Sequence, residues 1–259
     1  MNYLRELAGA SHLIVRFAAR DVRVRYRQTI LGFGWAVAQP LSLMLAFTLV
    51  FGRFAHMPSD GIPYPLFTYS TLIFWTFFSN TVTQGTVSIT ANATLIRKIY
   101  FPRETLLLSV MLSAGLDLAV ALSVLVGLFA YYHIPLAASA IWVLPLFLVQ
   151  ILFTLGIICI TSSIHARFRD IGFVLPLALQ LWMFATPVAY PLSVVPERFR
   201  SIYMLNPMVV ILEGYRQALL HDQAPPLPSL GIFGLSALAL SIAAYMVFKW
   251  GERTFADVV

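Results

Sequence analysis

Residues 118–166 read LAVALSVLVGLFAYYHIPLAASAIWVLPLFLVQILFTLGIICITSSIHA, forty-nine positions without a charged side chain, bounded by Asp117 and Arg167. A membrane-spanning helix needs about 20 predominantly apolar residues, rising 1.5 Å each across a hydrocarbon core of roughly 30 Å. This stretch is long enough for two such helices and must fold back between them. The break falls at Tyr131-Tyr132-His133-Ile134-Pro135, where aromatic residues, a histidine and a proline cluster.

Working outward, further charge-free runs cover Gln28–Gly52, Gly61–Ile96, Thr105–Leu116, Ile171–Pro196 and Gln223–Phe248. They predict an all-α integral membrane protein with six spans, near residues 30–52, 65–91, 105–131, 138–164, 171–191 and 229–250. The runs are too long for barrel strands and lack their alternation. Composition agrees: 59% of the 259 residues are hydrophobic and only 11% charged, against about 25% charged in a soluble domain. The single cysteine, Cys159, falls in a span and suits apolar packing.

Thirteen of the seventeen basic residues flank one side of these spans: Arg5, Arg16, Arg20, Arg23, Arg25, Arg27, Arg97, Lys98, Arg103, Arg167, Arg169, Lys249 and Arg253. The positive-inside rule then puts both termini in the cytoplasm, as an even span count requires. The basic balance is read as contact with anionic membrane lipids, not nucleic acid. The first 27 residues lack the apolar core of a signal peptide, so insertion is expected through the first span.

Three segments and one residue stand apart from the simple spans. Residues 11–28 predict an amphipathic interfacial helix, with Arg16, Arg20, Arg23 and Arg27 on one face and apolar residues elsewhere toward lipid. Residues 94–104 (TLIRKIYFPRE) predict a short cytoplasmic helix ended by Pro102. Its Ile96, Ile99, Tyr100 and Phe101 beside Arg97 and Lys98 suit insertion into another protein. Residues 193–221 predict two short helices that re-enter from the outer side, because Met208–Leu220 is too short to span. Asp117 lies inside the third span. An intramembrane carboxylate is a functional candidate by default, but with no charged partner at matching depth in the spans a hydrogen bond to a Ser or Thr is favoured.

Several chemistries are missing. The two lysines, Lys98 and Lys249, follow no glycine and precede no Ser or Thr, so no P-loop is present. His12, His56, His133, His165 and His221 are scattered, which leaves no metal-ligand spacing and no catalytic cluster. The spans carry neither an ionisable relay nor paired related halves, the marks of ion-coupled transport. Six spans without an energy source describe half of a transporter.

Five motifs carry a family resemblance: Arg25-Tyr26-Arg27-Gln28-Thr29-Ile30-Leu31-Gly32-Phe33-Gly34-Trp35 with Pro40; Ile96-Arg97-Lys98-Ile99-Tyr100-Phe101-Pro102-Arg103-Glu104; Phe168-Arg169-Asp170-Ile171; Thr186-Pro187-Val188-Ala189-Tyr190-Pro191; and Asn206-Pro207 with Tyr215-Arg216. In this order they resemble the ABC-2 type permeases, most closely the branch that exports O-antigen, capsule and teichoic-acid polysaccharides, over essentially the whole chain. That resemblance implies a homodimer bound to a separate ATPase subunit, which holds ATP and Mg, with no cofactor in this chain. It implies that Thr94–Phe101 seats in the ATPase, and that Arg27, Gln28, Leu31, Gly32 and Arg97 receive a lipid pyrophosphate. It further implies that Pro196, Asn206, Pro207, Glu213, Tyr215 and Arg216 belong to a periplasmic gate. Phe47, Phe51, Trp182, Phe184 and Tyr190 would line the channel. The expected function is export of a polyprenyl-pyrophosphate-linked polysaccharide across a bacterial inner membrane. The alternatives are an ABC-2 drug or lipid exporter and an intramembrane glycosyl- or acyltransferase.

Overall fold

A computed structural model describes residues 11–27 and 29–258, with side chains as far as residue 252. Arg5, Gln28 and the side chain of Arg253 therefore lie outside the described residues. The described chain is helical, without a strand. In order it forms α1 (Ser11–Tyr26), α2 (Trp35–Phe47), α3 (Tyr64–Ala91), α4 (Ala93–Lys98), α5 (Glu104–Tyr131), α6 (Val143–Arg167), α7 (Ile171–Phe184), α8 (Glu197–Met204), α9 (Pro207–Leu220) and α10 (Leu227–Val258). A 3-10 turn, Gly32–Gly34, leads into α2, and a π-helical stretch, Thr48–Phe54, prolongs it; another 3-10 turn, Ala138–Trp142, leads into α6.

Among the described residues, four helical stretches are long and apolar enough to cross a membrane: Gly32–Phe54, Glu104–Tyr131, Ala138–Arg167 and Leu227–Glu252. Two of the six expected spans differ from these for separate reasons. Helix α3 has 28 residues, about 42 Å of helix, but is rich in Thr, Ser, Asn and Gln. It can carry them because it is the centre of the bundle, touching α2, α5, α6, α7 and α9. Many of its hydroxyls bond back to its own backbone, as Thr81 does to the Phe77 carbonyl (2.6 Å) and Thr86 to the Val82 carbonyl (2.7 Å). Its apolar side chains Leu66, Phe67, Leu72 and Phe78 are fully buried. Helix α7 has only 14 residues, about 21 Å. It stops at Phe184, where the expected span runs on to residue 191; Pro187 and Pro191 deny the continuing chain two backbone donors.

The other short elements also differ in extent. Helix α1 ends at Tyr26 and packs along α5, rather than lying free in the interface. Its packed side holds Phe17, Ala18, Asp21 and Arg25, a 3–4 residue repeat that includes two charges. Helix α4 is six residues long and stops at Lys98, not at Pro102. From Ile99 the chain is extended, which lets Phe101 turn inward and meet the Phe17 ring at 5.7 Å. Between residues 193 and 221 lie two helices, α8 and α9, joined at Asn206-Pro207. Asn206 caps α9 by accepting from the Met208 amide at 3.1 Å, and Pro207 takes the first helical position. Close approach of α9 to α6 depends on Gly214, where a Cβ would meet Leu146 Cδ2 at 2.7 Å.

Candidate functional site

A partly polar cavity of about 370 Å³ lies between α1, α2, α3 and α5. Arg25 closes one side. Its guanidinium donates to the Asp117 carboxylate of α5 and to the Gln84 carbonyl oxygen of α3, and lies 3.4 Å from the Ser113 hydroxyl. Tyr26 donates its hydroxyl to the other Asp117 oxygen at 2.8 Å. Burial, reinforced by that donation to a carboxylate, pushes the Tyr26 phenol up to about 12, so it remains a donor at any physiological pH. Asp117 thus has a charged partner after all. The partner comes from the N-terminal helix, 92 positions away in sequence, and not from a span.

Three of the expected pyrophosphate-binding residues, Arg27, Leu31 and Gly32, belong to the chain segment that runs past this cavity at Thr29. Thr29, which lines it, is followed by the exposed Ile30 and Leu31. Gly32 has a φ of +53°, a left-handed conformation that disfavours any side chain. Arg27 and Arg97 are both exposed, and neither forms an ion pair among the described residues. Gln28 is outside the described residues. Arg16, Arg20, Arg23 and Arg27 border one surface depression on α1, and Arg20 pairs with Asp21 at 2.8 Å.

The segment Thr94–Phe101 divides into two sets. Ile96 and Phe101 are buried in the bundle and Leu95 is half-buried, so these residues are core. Thr94, Arg97, Lys98, Ile99 and Tyr100 face outward, with Tyr100 92% exposed. The surface free to insert into another protein is therefore Arg97–Tyr100 rather than all four large apolar residues.

Four of the expected gate residues, Asn206, Glu213, Tyr215 and Arg216, are joined by side-chain hydrogen bonds within the fold. Arg216 is wholly buried; it pairs with Glu213 at 2.8 Å, donates to the Pro187 carbonyl at 2.7 Å and covers the Phe67 ring at 4.2 Å. Tyr215 stacks on Phe74, with ring centroids 3.6 Å apart, and donates to Gln150 Oε1 at 2.8 Å. Asn206 accepts from Trp182 Nε1 and donates to Thr186 Oγ, both at 3.1 Å. Pro196 is exposed and Pro207 half-buried. These contacts tie α9 to the turns that follow α7. No part of Arg216, expected in a helix that re-enters from the outer side, reaches solvent.

Of the expected channel aromatics, Phe47, Phe51, Phe184 and Tyr190 converge on one apolar cavity of about 230 Å³. Trp182 does not join them; it is wedged among Trp75, Phe78 and Phe153. Sequence reasoning missed Thr76, Asn80 and Gln84 on α3, and Trp35 and Gln39 on α2, all of which line the larger cavity. The available signal was the four-residue spacing of polar side chains within a span.

Residues 12–220 match a family described as ABC-2 type transporter. The chain is 30% identical over the full length of both proteins to the O-antigen export system permease protein RfbA of Myxococcus xanthus. It is 27% identical to the RfbA of Klebsiella pneumoniae, over 95% of both chains. It is also 26% identical to the polysialic acid transport protein KpsM of Escherichia coli, over 87% of this chain and 89% of that protein.

Proposed function

The chain belongs to the ABC-2 type transporter family, and from that premise we propose that it is the permease subunit of an ATP-driven exporter of a lipid-linked polysaccharide. It is a transmembrane permease and not an enzyme. The cargo is a polyprenyl-pyrophosphate-linked glycan of O-antigen type, crossing a bacterial inner membrane outward. The observation that carries this reading is the end-to-end similarity to a permease of O-antigen export.

Two copies of the chain enclose the path and two copies of a separate ATPase, which holds ATP and Mg, drive it. Helices α2, α3, α5, α6, α7 with the turns that follow it, and α10 make six crossings. Both termini are then cytoplasmic, with α8 and α9 re-entering from the outer side. Outward-facing Arg97, Lys98, Ile99 and Tyr100 seat in the ATPase. Arg27 and Arg97, exposed and without an ion pair among the described residues, receive the pyrophosphate with Gln28, Leu31 and Gly32. Guanidinium forks suit phosphate oxygens because they bond bidentately. The cavity shared by Phe47, Phe51, Phe184 and Tyr190 gives sugar rings an apolar surface to slide along. The buried frame of Asn206, Tyr215 and Arg216 holds the outer closure in shape, with Pro196 at its exposed rim.

Reconstitution tests the proposal. Vesicles carrying this chain and its cognate ATPase should move a lipid-linked glycan outward only with ATP, and vesicles carrying this chain alone should hydrolyse no ATP. Translocation without the ATPase subunit would overturn it.

A further inference from the structure

Helix α3 presents Thr76, Asn80 and Gln84 at intervals of four, which puts them on one face. Several hydroxyls of this helix are spent on its own backbone, but that of Thr76 is not. Thr76 and Asn80 make no side-chain hydrogen bond among the described residues, and Gln84 has only its carbonyl oxygen engaged, by Arg25. Across the gap, Gln39 of α2 likewise has no side-chain partner, one turn from Trp35, whose indole is 47% exposed. All of them line the cavity of about 370 Å³, a volume at the small end of the roughly 300–1,000 Å³ typical of ligand pockets. Polar groups at membrane depth are costly to leave unpaired, so a row of them facing one cavity calls for a polar occupant.

The charges of the lining select among occupants. Arg25 and Asp117 neutralise each other, so the cavity offers no free cation to a phosphate. It offers carboxamides and a threonine hydroxyl that can donate and accept, and one open aromatic face. Vicinal hydroxyls need donors and acceptors together, and the C–H face of a pyranose packs on an aromatic ring. Thr29, in the cavity wall, lies two residues from both Arg27 and Leu31, where the pyrophosphate is proposed to bind. A ligand in the cavity would therefore adjoin that group.

We propose that this cavity binds the neutral sugar ring next to the pyrophosphate, so that the permease recognises the first sugar and not the lipid pyrophosphate alone. The inference rests on the polysaccharide-export reading above. Trp35, Gln39, Thr76, Asn80 and Gln84 are the sugar-contacting set, and the Arg25–Asp117 pair holds the wall in place.

The test uses the complex with its ATPase in nanodiscs and two probes: a short polyprenyl pyrophosphate bearing one neutral hexose, and the same lipid without the sugar. The sugar-bearing lipid should bind about tenfold more tightly, the effect of one or two net hydrogen bonds and a ring contact. Asn80→Ala and Trp35→Ala should remove that increment and leave affinity for the sugar-free lipid within about twofold. Equal affinity of the native complex for both lipids, or a parallel loss of both in the variants, would overturn the proposal. Asn80→Cys covers the case in which truncation impairs assembly, since the native Cys159 is buried. A small thiol reagent should label it, the sugar-bearing lipid alone should protect it, and equal protection by both lipids would sink the idea. Native complex that exports glycan yet ignores the sugar refutes this inference only; native complex that binds neither lipid and exports nothing refutes the parent reading too.

Discussion

Arg25 and Asp117 show how one contact reorganises the meaning of two residues. Alone in a span, Asp117 would impose a large desolvation cost; paired with Arg25 and bonded by Tyr26, it fastens α1 to α5. Removing one partner strands the other, whereas removing both leaves an apolar contact. Asp117→Leu should therefore destabilise the protein by about 2 kcal/mol, below the cost for a fully buried pair because both side chains stay partly open. The double variant Arg25→Met with Asp117→Leu should recover most of that loss. Thermal unfolding in detergent measures the cycle, and simple additivity of the two single losses would refute the coupling. Nothing in the sequence announced this pair. Six arginines crowd the first 27 residues, and four at spacings of four, three and four drew the eye to the opposite face. Which arginine turns inward depends on how α1 docks, a tertiary fact.

At the scale of the element, the long apolar helices were legible because lipid imposes length and composition on them directly. The short ones were legible in place but not in role. Helix α4 and the residues after it illustrate this: Ile99 and Phe101 are two positions apart in one apolar cluster, yet one is 58% exposed and the other 7%. Phe101→Ala should cost about 3 kcal/mol of stability, as loss of a buried aromatic does. Arg97→Glu and Tyr100→Ala should leave thermal stability unchanged and weaken co-purification of the ATPase. Normal co-purification with normal export in both surface variants would remove the docking role. Helix α9 makes the converse case, since the resemblance implied a gate there and the fold gives its charged residues buried partners. Arg216→Ala would leave Glu213 and the Pro187 carbonyl without a donor in a buried site. The expected loss is about 3 kcal/mol, read as a lowered unfolding temperature; a leaky but equally stable variant would assign Arg216 to gating instead.

Over the whole molecule, topology decides whether these parts can act together. Four helical stretches satisfy length and apolarity by themselves; α3 and α7 do not, and each would cross only with help from its neighbours. Helix α3 has that help, since it is enclosed by five other helices and many of its hydroxyls bond back to its own backbone. Helix α7 is short, and its Phe173, Leu177 and Leu181 are exposed, an apolar stripe consistent with lipid or a second copy at its side. If both cross, the count is six, and Arg97 and Lys249 share the cytoplasmic side while Arg198 of α8 faces outward. If α7 turns back instead, α10 runs the opposite way and Lys249 moves outside. Single cysteines separate the two arrangements with little background, because the native Cys159 is only 1% exposed. In intact cells a membrane-impermeant thiol reagent should label Arg198→Cys and spare Arg97→Cys and Trp250→Cys, the last being 72% exposed at the end of α10. After permeabilisation all three should react. Labelling of Trp250→Cys from outside would cut the span count to an odd number and break the link between the proposed re-entrant pair and the outer closure.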